Sequence, residues 1–231
     1  MKELIKRVPI LNTLARQIHS KIGLSETPHI PFSESHEYWE RRYDAGGNSG
    51  VGSYGKFADF KAEIINGFVA SHGIKSVIEF GCGDGNQLAL GSYPKYLGLD
   101  VSDKVIALCQ RKFSADTSKR FMLTKDYAGE TADLSLSLDV IYHLVEDDVF
   151  VSYMKMLLNA ADRYVIIYSS DREDNADSEA AHVRHRKFTA WINREMPGWT
   201  LLSHIQNRYP YKGDYKEGSF ADFFIYQKHM A

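Results

Sequence analysis

Three scarcities narrow the field before any motif is read. Only two cysteines, Cys82 and Cys109, occur in 231 residues. Two cannot build a disulfide framework, so the sequence reads as a protein of a reducing compartment that rests on an apolar core. No stretch approaches the roughly 18 consecutive apolar residues of a membrane span. The short apolar run Val8–Leu11 is broken by Asn12 and Thr13, and no clean small-residue cleavage site follows; no signal peptide is expected and the protein is read as cytoplasmic. Charge of one sign is also missing: 28 bases face 30 acids, a net −2. That balance excludes a generally basic nucleic-acid binder.

What is present is ordinary globular material, 44% hydrophobic and 25% charged, which argues against wholesale disorder. The charge is uneven. Residues 1–22 hold five bases against one acid, which leaves −6 on the rest. Leu4, Ile5, Val8, Leu11, Ala15, Ile18 and Ile22 fall at helical spacing, so residues 2–22 predict a basic amphipathic helix, kinked at Pro9. Such a helix suits an anionic membrane surface, a partner subunit or its own domain. A linker with two prolines, Thr27–Ser33, follows, so residues 1–35 are taken as a flank and 36–231 as one domain.

Within the domain a helix is expected at His36–Tyr43, then a loop (residues 44–55) with five glycines in twelve, then an amphipathic helix at Phe57–Ser71. From there short apolar runs alternate with helical patterns. Strands are expected at Ser76–Phe80, Tyr96–Asp100, Arg120–Leu123, Leu134–Asp139 and Tyr164–Ser169, with helices at Ser102–Phe113 and Asp147–Ala161. This alternation predicts an α/β fold, a doubly wound parallel sheet. Trp199–Gln206 and Phe220–Gln227 read as two further strands with no crossover helix between them, hence antiparallel neighbours. Only Asn86 to Lys95 separate the first two strands, which leaves room for a helix of about two turns.

The strongest local signal is Val77-Ile-Glu79-Phe-Gly81-Cys-Gly83-Asp-Gly85: a buried strand running into a glycine turn, with an acid before it. Glycines there permit a tight turn and close approach of a ligand to the backbone. The next strand ends in Asp100-Val101, and a carboxylate at that place suits a ribose diol. Together these residues resemble the first motif of class I S-adenosylmethionine-dependent methyltransferases. Lys125-Asp126-Tyr127 after the third strand and Ser137-Leu-Asp139-Val-Ile-Tyr-His143 at the fourth continue the resemblance over roughly residues 36–227. It implies a Rossmann-like seven-stranded sheet, mostly parallel with an antiparallel last strand, and S-adenosyl-L-methionine as cofactor, leaving as S-adenosyl-L-homocysteine. It also implies that Glu79, Gly81, Gly83, Gly85, Asp100, Val101, Asp126, Tyr127 and Asp139 border that cofactor.

Other candidates come from the residues themselves. Tyr38, Trp39 and Arg42 offer aromatic faces for a sulfonium and a guanidinium for a carboxylate; packing of the same helix onto the sheet explains the aromatics equally well. Methyl transfer to oxygen calls for a base, and His143 is the candidate, with Asp139 or Glu146 to orient it. Asp139 and His143 alone are too few for a metal site, and none is expected. His182, Arg184, His185 and Arg186 form a basic cluster suited to an anionic acceptor, or a solvated helix start balanced by neighbouring acids. The acceptor expected is a small molecule, first a sugar, sugar phosphate or lipid-linked glycan oxygen; that choice rests on a looser resemblance to bacterial surface-glycan-associated methyltransferases. A non-catalytic partner subunit and a dinucleotide-dependent oxidoreductase stand as alternatives.

Overall fold

The computed structural model describes residues 30–176 and 180–229. The expected helix at residues 2–22 lies outside the described residues, as do Asp177 and Glu179. Seven strands form one sheet in the order β3-β2-β1-β4-β5-β7-β6. They are β1 (Val77–Phe80), β2 (Tyr96–Asp100), β3 (Lys119–Leu123), β4 (Ala132–Leu138), β5 (Ala161–Ser169), β6 (Trp199–Ile205) and β7 (Asp222–Lys228). β1 to β5 pair in parallel, and β7 runs antiparallel to both β5 and β6. The seven-stranded sheet with an antiparallel last strand is therefore as expected.

Five helices of two turns or more are described: α1 (Ser35–Asp44), α2 (Gly55–Ser71), α3 (Asp103–Lys112), α4 (Asp147–Asn159) and α5 (Phe188–Glu195). Strand alternation sorts side chains between two cores. Val77, Leu134, Leu136, Ile166 and Phe223 meet Phe60, Ile65 and Phe68 of α2 on one face. Ile78, Phe80, Val165, Ile167 and Phe224 meet α4 and α5 on the other. Central parallel strands are covered on both faces, which is why they read as nearly continuous apolar runs. Each fully buried core side chain, such as Ile65 or Ile78, contributes about 1.5–3 kcal/mol of transfer free energy.

Two elements differ from expectation. Between β1 and β2 there is a single 3-10 turn, Leu88–Leu90, instead of a two-turn helix. Gly91 closes that turn by donating to the Leu88 carbonyl (2.8 Å), and Pro94 disfavours helical backbone in the residue before it. Four of the ten residues are thus spent on the return to the sheet. Conversely, α5 was not among the expected helices. It is two turns long, and its helical signal is only Phe188, Trp191 and Ile192, buried at i, i+3 and i+4.

Three features place the site. The glycine turn leaves the carboxyl end of β1, where open parallel sheets bind ligands. Ser102 caps α3, its Oγ accepting from the Val105 N–H (3.4 Å), just after Asp100 ends β2. α1 and the glycine-rich loop after it fold back over this edge. No described helix is long and apolar enough to cross a membrane.

Candidate cofactor and acceptor site

A cavity of about 340 Å³ opens at the carboxyl ends of β1, β2 and β4. Glu79, Gly81, Gly83, Asp100, Asp139 and His143 line it, with Val101 and Thr124 at one end and Trp39 at the lid. The glycine turn is required locally. Gly81, Gly83 and Gly85 have φ of 85°, 54° and 68°, a region L side chains rarely adopt. A Cβ at Gly83 would also collide with Ser49 Oγ, and one at Gly85 would come within 2.7 Å of Phe113. Gly81 and Cys82 both donate their N–H to the Leu99 carbonyl, which ties the turn to β2. Cys82 is buried in the turn as a small filler.

Two carboxylates flank the turn. Glu79 is buried and accepts from the Tyr96 hydroxyl (2.6 Å). Burial pushes its pKa to about 7, against that hydrogen bond and the nearby Lys61 charge. Asp100 accepts from the N–H groups of Gly83 (3.0 Å) and Ser102 (3.1 Å). Burial pushes it to about 6, and those backbone bonds hold it down from going further. A carboxylate accepts about four hydrogen bonds, so Asp100 keeps capacity for hydroxyls presented from the cavity.

The β4 side is built differently. Asp139 stands in the left-handed region, φ 60°, the one non-glycine residue so placed among those described. It is held there by Lys61 Nζ (2.5 Å) and the Tyr142 hydroxyl (2.7 Å). Lys61 is fully buried, and its ammonium lies 5.1 Å from the Tyr168 ring centroid. Gly52 of the loop approaches so closely that a Cβ there would sit 2.8 Å from Asp139 Oδ2. His143 donates Nδ1–H to the His182 carbonyl (2.9 Å), so its Nε2 carries the lone pair. Its ring lies between Trp39, edge-on at 4.9 Å, and His182, stacked at 5.3 Å. Burial lowers its pKa to about 3, and neighbouring charges on His182 and Arg42 act the same way. Neither expected carboxylate orients it. Asp139 is taken by Lys61 and Tyr142, while Glu146 accepts from Ser35 N (2.9 Å) and Oγ (2.6 Å) at the start of α1.

The glycine-rich loop is latched over the turn. Ser49 N–H donates to Asp84 Oδ2 (3.0 Å), and Asp84 N–H donates to Ser49 Oγ (2.8 Å). The Tyr54 hydroxyl adds a bond to Asp84 (2.6 Å), and Asn86 Nδ2 reaches the Ser53 carbonyl (2.7 Å).

Several expected residues lie elsewhere. Tyr38 is buried and stacks on His182 at 4.4 Å, outside the cavity lining. Arg42 donates Nε to the Asn48 carbonyl (2.8 Å) and lies over the Trp39 ring; it braces the lid. Asp126 is exposed in the turn after β3, and Tyr127 packs its ring on Phe80; Thr124 lines the cavity in their place. Arg184, His185 and Arg186 line a second cavity, and His182 serves as the stacking partner of His143. Sequence reasoning missed Lys61, although a signal exists. It falls at helical spacing with Phe57, Phe60, Ile64, Ile65 and Phe68 on the apolar face of α2. A base on a buried stripe is rarely buried without a partner.

No protein-family model matches the sequence, and no curated protein matches it. Solved structures do match in fold. The N-methyltransferase NodS from Bradyrhizobium japonicum WM9, in complex with S-adenosyl-L-homocysteine, superposes with a TM-score of 0.61 at 11% identity, covering 93% of this chain and 98% of that one. Magnesium protoporphyrin IX methyltransferase from Synechocystis PCC 6803, with S-adenosylhomocysteine bound, gives 0.57 at 13% identity over 94% and 99% of the two chains. The methyltransferase domain of bacterial CtHen1 gives 0.58 at 18% identity over 78% and 100%. The chain has the fold of the class I S-adenosylmethionine-dependent methyltransferases.

Proposed function

We propose that the chain is a methyltransferase that takes its methyl group from S-adenosylmethionine and gives it to a small molecule. The observation that carries this is the pairing of buried Glu79 and Asp100 across a glycine turn in one cavity, on a sheet of this topology. When bound, the cofactor supplies a methyl group on a cationic sulfonium and leaves as S-adenosylhomocysteine. Asp100 is suited to accept from a ribose diol, with Glu79 behind it across the turn. The Lys61–Asp139 pair is matched within the protein and forms a fixed wall beside the amino-acid moiety. Arg42, expected to hold the cofactor's carboxylate, is spent on the Asn48 carbonyl instead. The latched loop and Trp39 close the site and exclude water.

His143 presents a neutral Nε2 to the cavity. A group with a pKa near 3 is a weak proton acceptor at neutral pH. We assign it to orienting the acceptor by hydrogen bonding, so catalysis rests mainly on alignment. This favours an acceptor atom that is a good nucleophile without first losing a proton to the protein, such as an unprotonated amine or an ionised oxygen, over a neutral sugar hydroxyl. The glycan acceptor is therefore the second reading, and no residue of this cavity selects it. Calorimetric titration with S-adenosylhomocysteine, with NAD and NADP as controls, tests the proposal. Saturable binding of the first alone supports it; binding of a dinucleotide alone, or of none by a folded protein, refutes it.

A further inference from the structure

We infer that the chain carries a second ligand site, a basic cavity beside α4 and α5 that takes a phosphate-bearing small molecule. The cavity measures about 650 Å³ and shares no lining residue with the cofactor cavity. Different residues of α4 face each: Ser152, Tyr153 and Met156 the first, Phe150, Val151 and Lys155 the second. A ligand in the second cavity is thus not the methyl acceptor, and the site stands independently of the methyl-transfer reading.

The lining holds five Lys and Arg side chains against three carboxylates, an excess of two positive charges. Part of that charge is already committed. Arg184 lies 3.1 Å from Asp147, and Arg194 lies 2.7 Å from Glu195. Two groups keep capacity. Lys155 is exposed at the cavity wall and forms no ion pair among the described residues. Arg186 is the stronger indication. Its side chain is 10% exposed, and its Nη2 donates to the Val145 carbonyl (2.7 Å) and Asp147 (2.9 Å). Its Nε and Nη1 are buried and have no hydrogen-bond partner among the described residues. Its guanidinium lies 4.9 Å from the Phe150 ring centroid, which fixes its plane.

Buried donors are almost always satisfied, so an orphaned pair on one guanidinium calls for an acceptor. Lys187 is itself paired with Asp171 (3.4 Å), so Arg186 and Lys155 are the groups left to bind, and a phosphate offers acceptor oxygens only and matches the guanidinium fork. Phe150, Trp191 and Ala190 give the same cavity an apolar side, which suits an organic phosphate better than a bare ion. The basic cluster expected at the acceptor site thus serves a different cavity. The physical reason is that Arg184 N–H is fixed to the Tyr142 carbonyl (2.8 Å), and both guanidinium groups reach Val145 on the outer side of that loop.

Trp191 lines the cavity and supplies the readout. The full chain, free and saturated with S-adenosylhomocysteine, is titrated with inorganic pyrophosphate while tryptophan fluorescence is followed, with sulfate at equal ionic strength as the control. Saturable quenching is expected that Trp191→Phe abolishes, with the same affinity in both forms of the protein. Lys155→Gln and Arg186→Gln should each weaken it on the order of tenfold, the loss of one charge-assisted hydrogen bond. Lys155 is exposed, so K155Q carries the test should R186Q fail to fold. Absence of saturable binding, equal response to sulfate, affinity unchanged in the folded variants, or displacement by S-adenosylhomocysteine would each overturn the assignment.

Discussion

The two walls of the cavity at the carboxyl ends of β1, β2 and β4 hold their polar groups in opposite states. On the β1–β2 wall, Glu79 and Asp100 are carboxyls that burial has raised to about 7 and 6. Their partners among the described residues are a tyrosine hydroxyl and backbone N–H groups, with no described cation in direct contact. On the β4 wall the charge is already matched inside the protein. Asp139 is neutralised by Lys61 within 2.5 Å, and His143 is held neutral by burial. The first wall keeps acceptor capacity for hydroxyls brought by a ligand. The second is a fixed frame that aligns what lies against it. One cavity can in this way bind by one edge and orient by the other, which is what an in-line transfer needs.

Breaking the frame should have the largest effect. Lys61→Met removes the cation from Asp139 and leaves a mostly buried carboxylate in strained backbone. A loss of about 3–5 kcal/mol in urea-unfolding stability is expected, with much of it recovered in the double variant Lys61→Met, Asp139→Asn. A single variant as stable as the parent would show that the pair is not structural.

Titration distinguishes the walls next. Glu79 has a folded pKa raised above its unfolded value of 4.5. Its contribution is therefore fully present below pH 4.5 and is lost as pH rises through about 7, on the order of 2–3 kcal/mol. His143 works the other way: its folded pKa is lowered, so its contribution is present above pH 6.5 and lost as pH falls toward 3. Unfolding at pH 5 and pH 8 should show that Glu79→Gln, which keeps an acceptor for Tyr96, flattens the fall toward high pH. An unchanged slope would remove Glu79 as its source.

The latch should matter less. Tyr54→Phe deletes one of the bonds on Asp84 and is expected to cost about 1 kcal/mol. It should raise amide exchange within residues 46–54 and leave the core strands unaffected. Equal protection in both proteins would deny that the hydroxyl holds the loop. The smallest effect is spectroscopic. Nitrogen shifts of His143 should report one neutral tautomer, protonated at Nδ1, from pH 8 down to about 4.5; a midpoint near 6.5 would restore it as a general base.

How far the sequence could be read follows the same division. The β1–β2 wall is assembled from residues 77–102, so strand, glycine turn, capping serine and both acids stand close together in the chain. Spacing alone groups Glu79, Gly81, Gly83 and Asp100, and all four line one cavity. The β4 wall draws on α2, the loop after β4 and the segment around His182, up to 121 residues apart between Lys61 and His182. No local pattern joins these, so His143 was found but its partner was not. Arg186 and Arg184 were visible as a cluster, yet which side of the loop they reach is a matter of tertiary path. The short α5 and the single turn at Leu88–Leu90 escaped because two turns or fewer give too few periods to count.

The proposed cofactor site turns on Asp100 at the β1–β2 edge. Its most direct test is the dissociation constant of S-adenosylhomocysteine for the parent protein and for a folded Asp100→Ala. An affinity at least about tenfold weaker is expected for the variant, the loss of one or two charge-assisted hydrogen bonds. Equal affinity in the two proteins would contradict it.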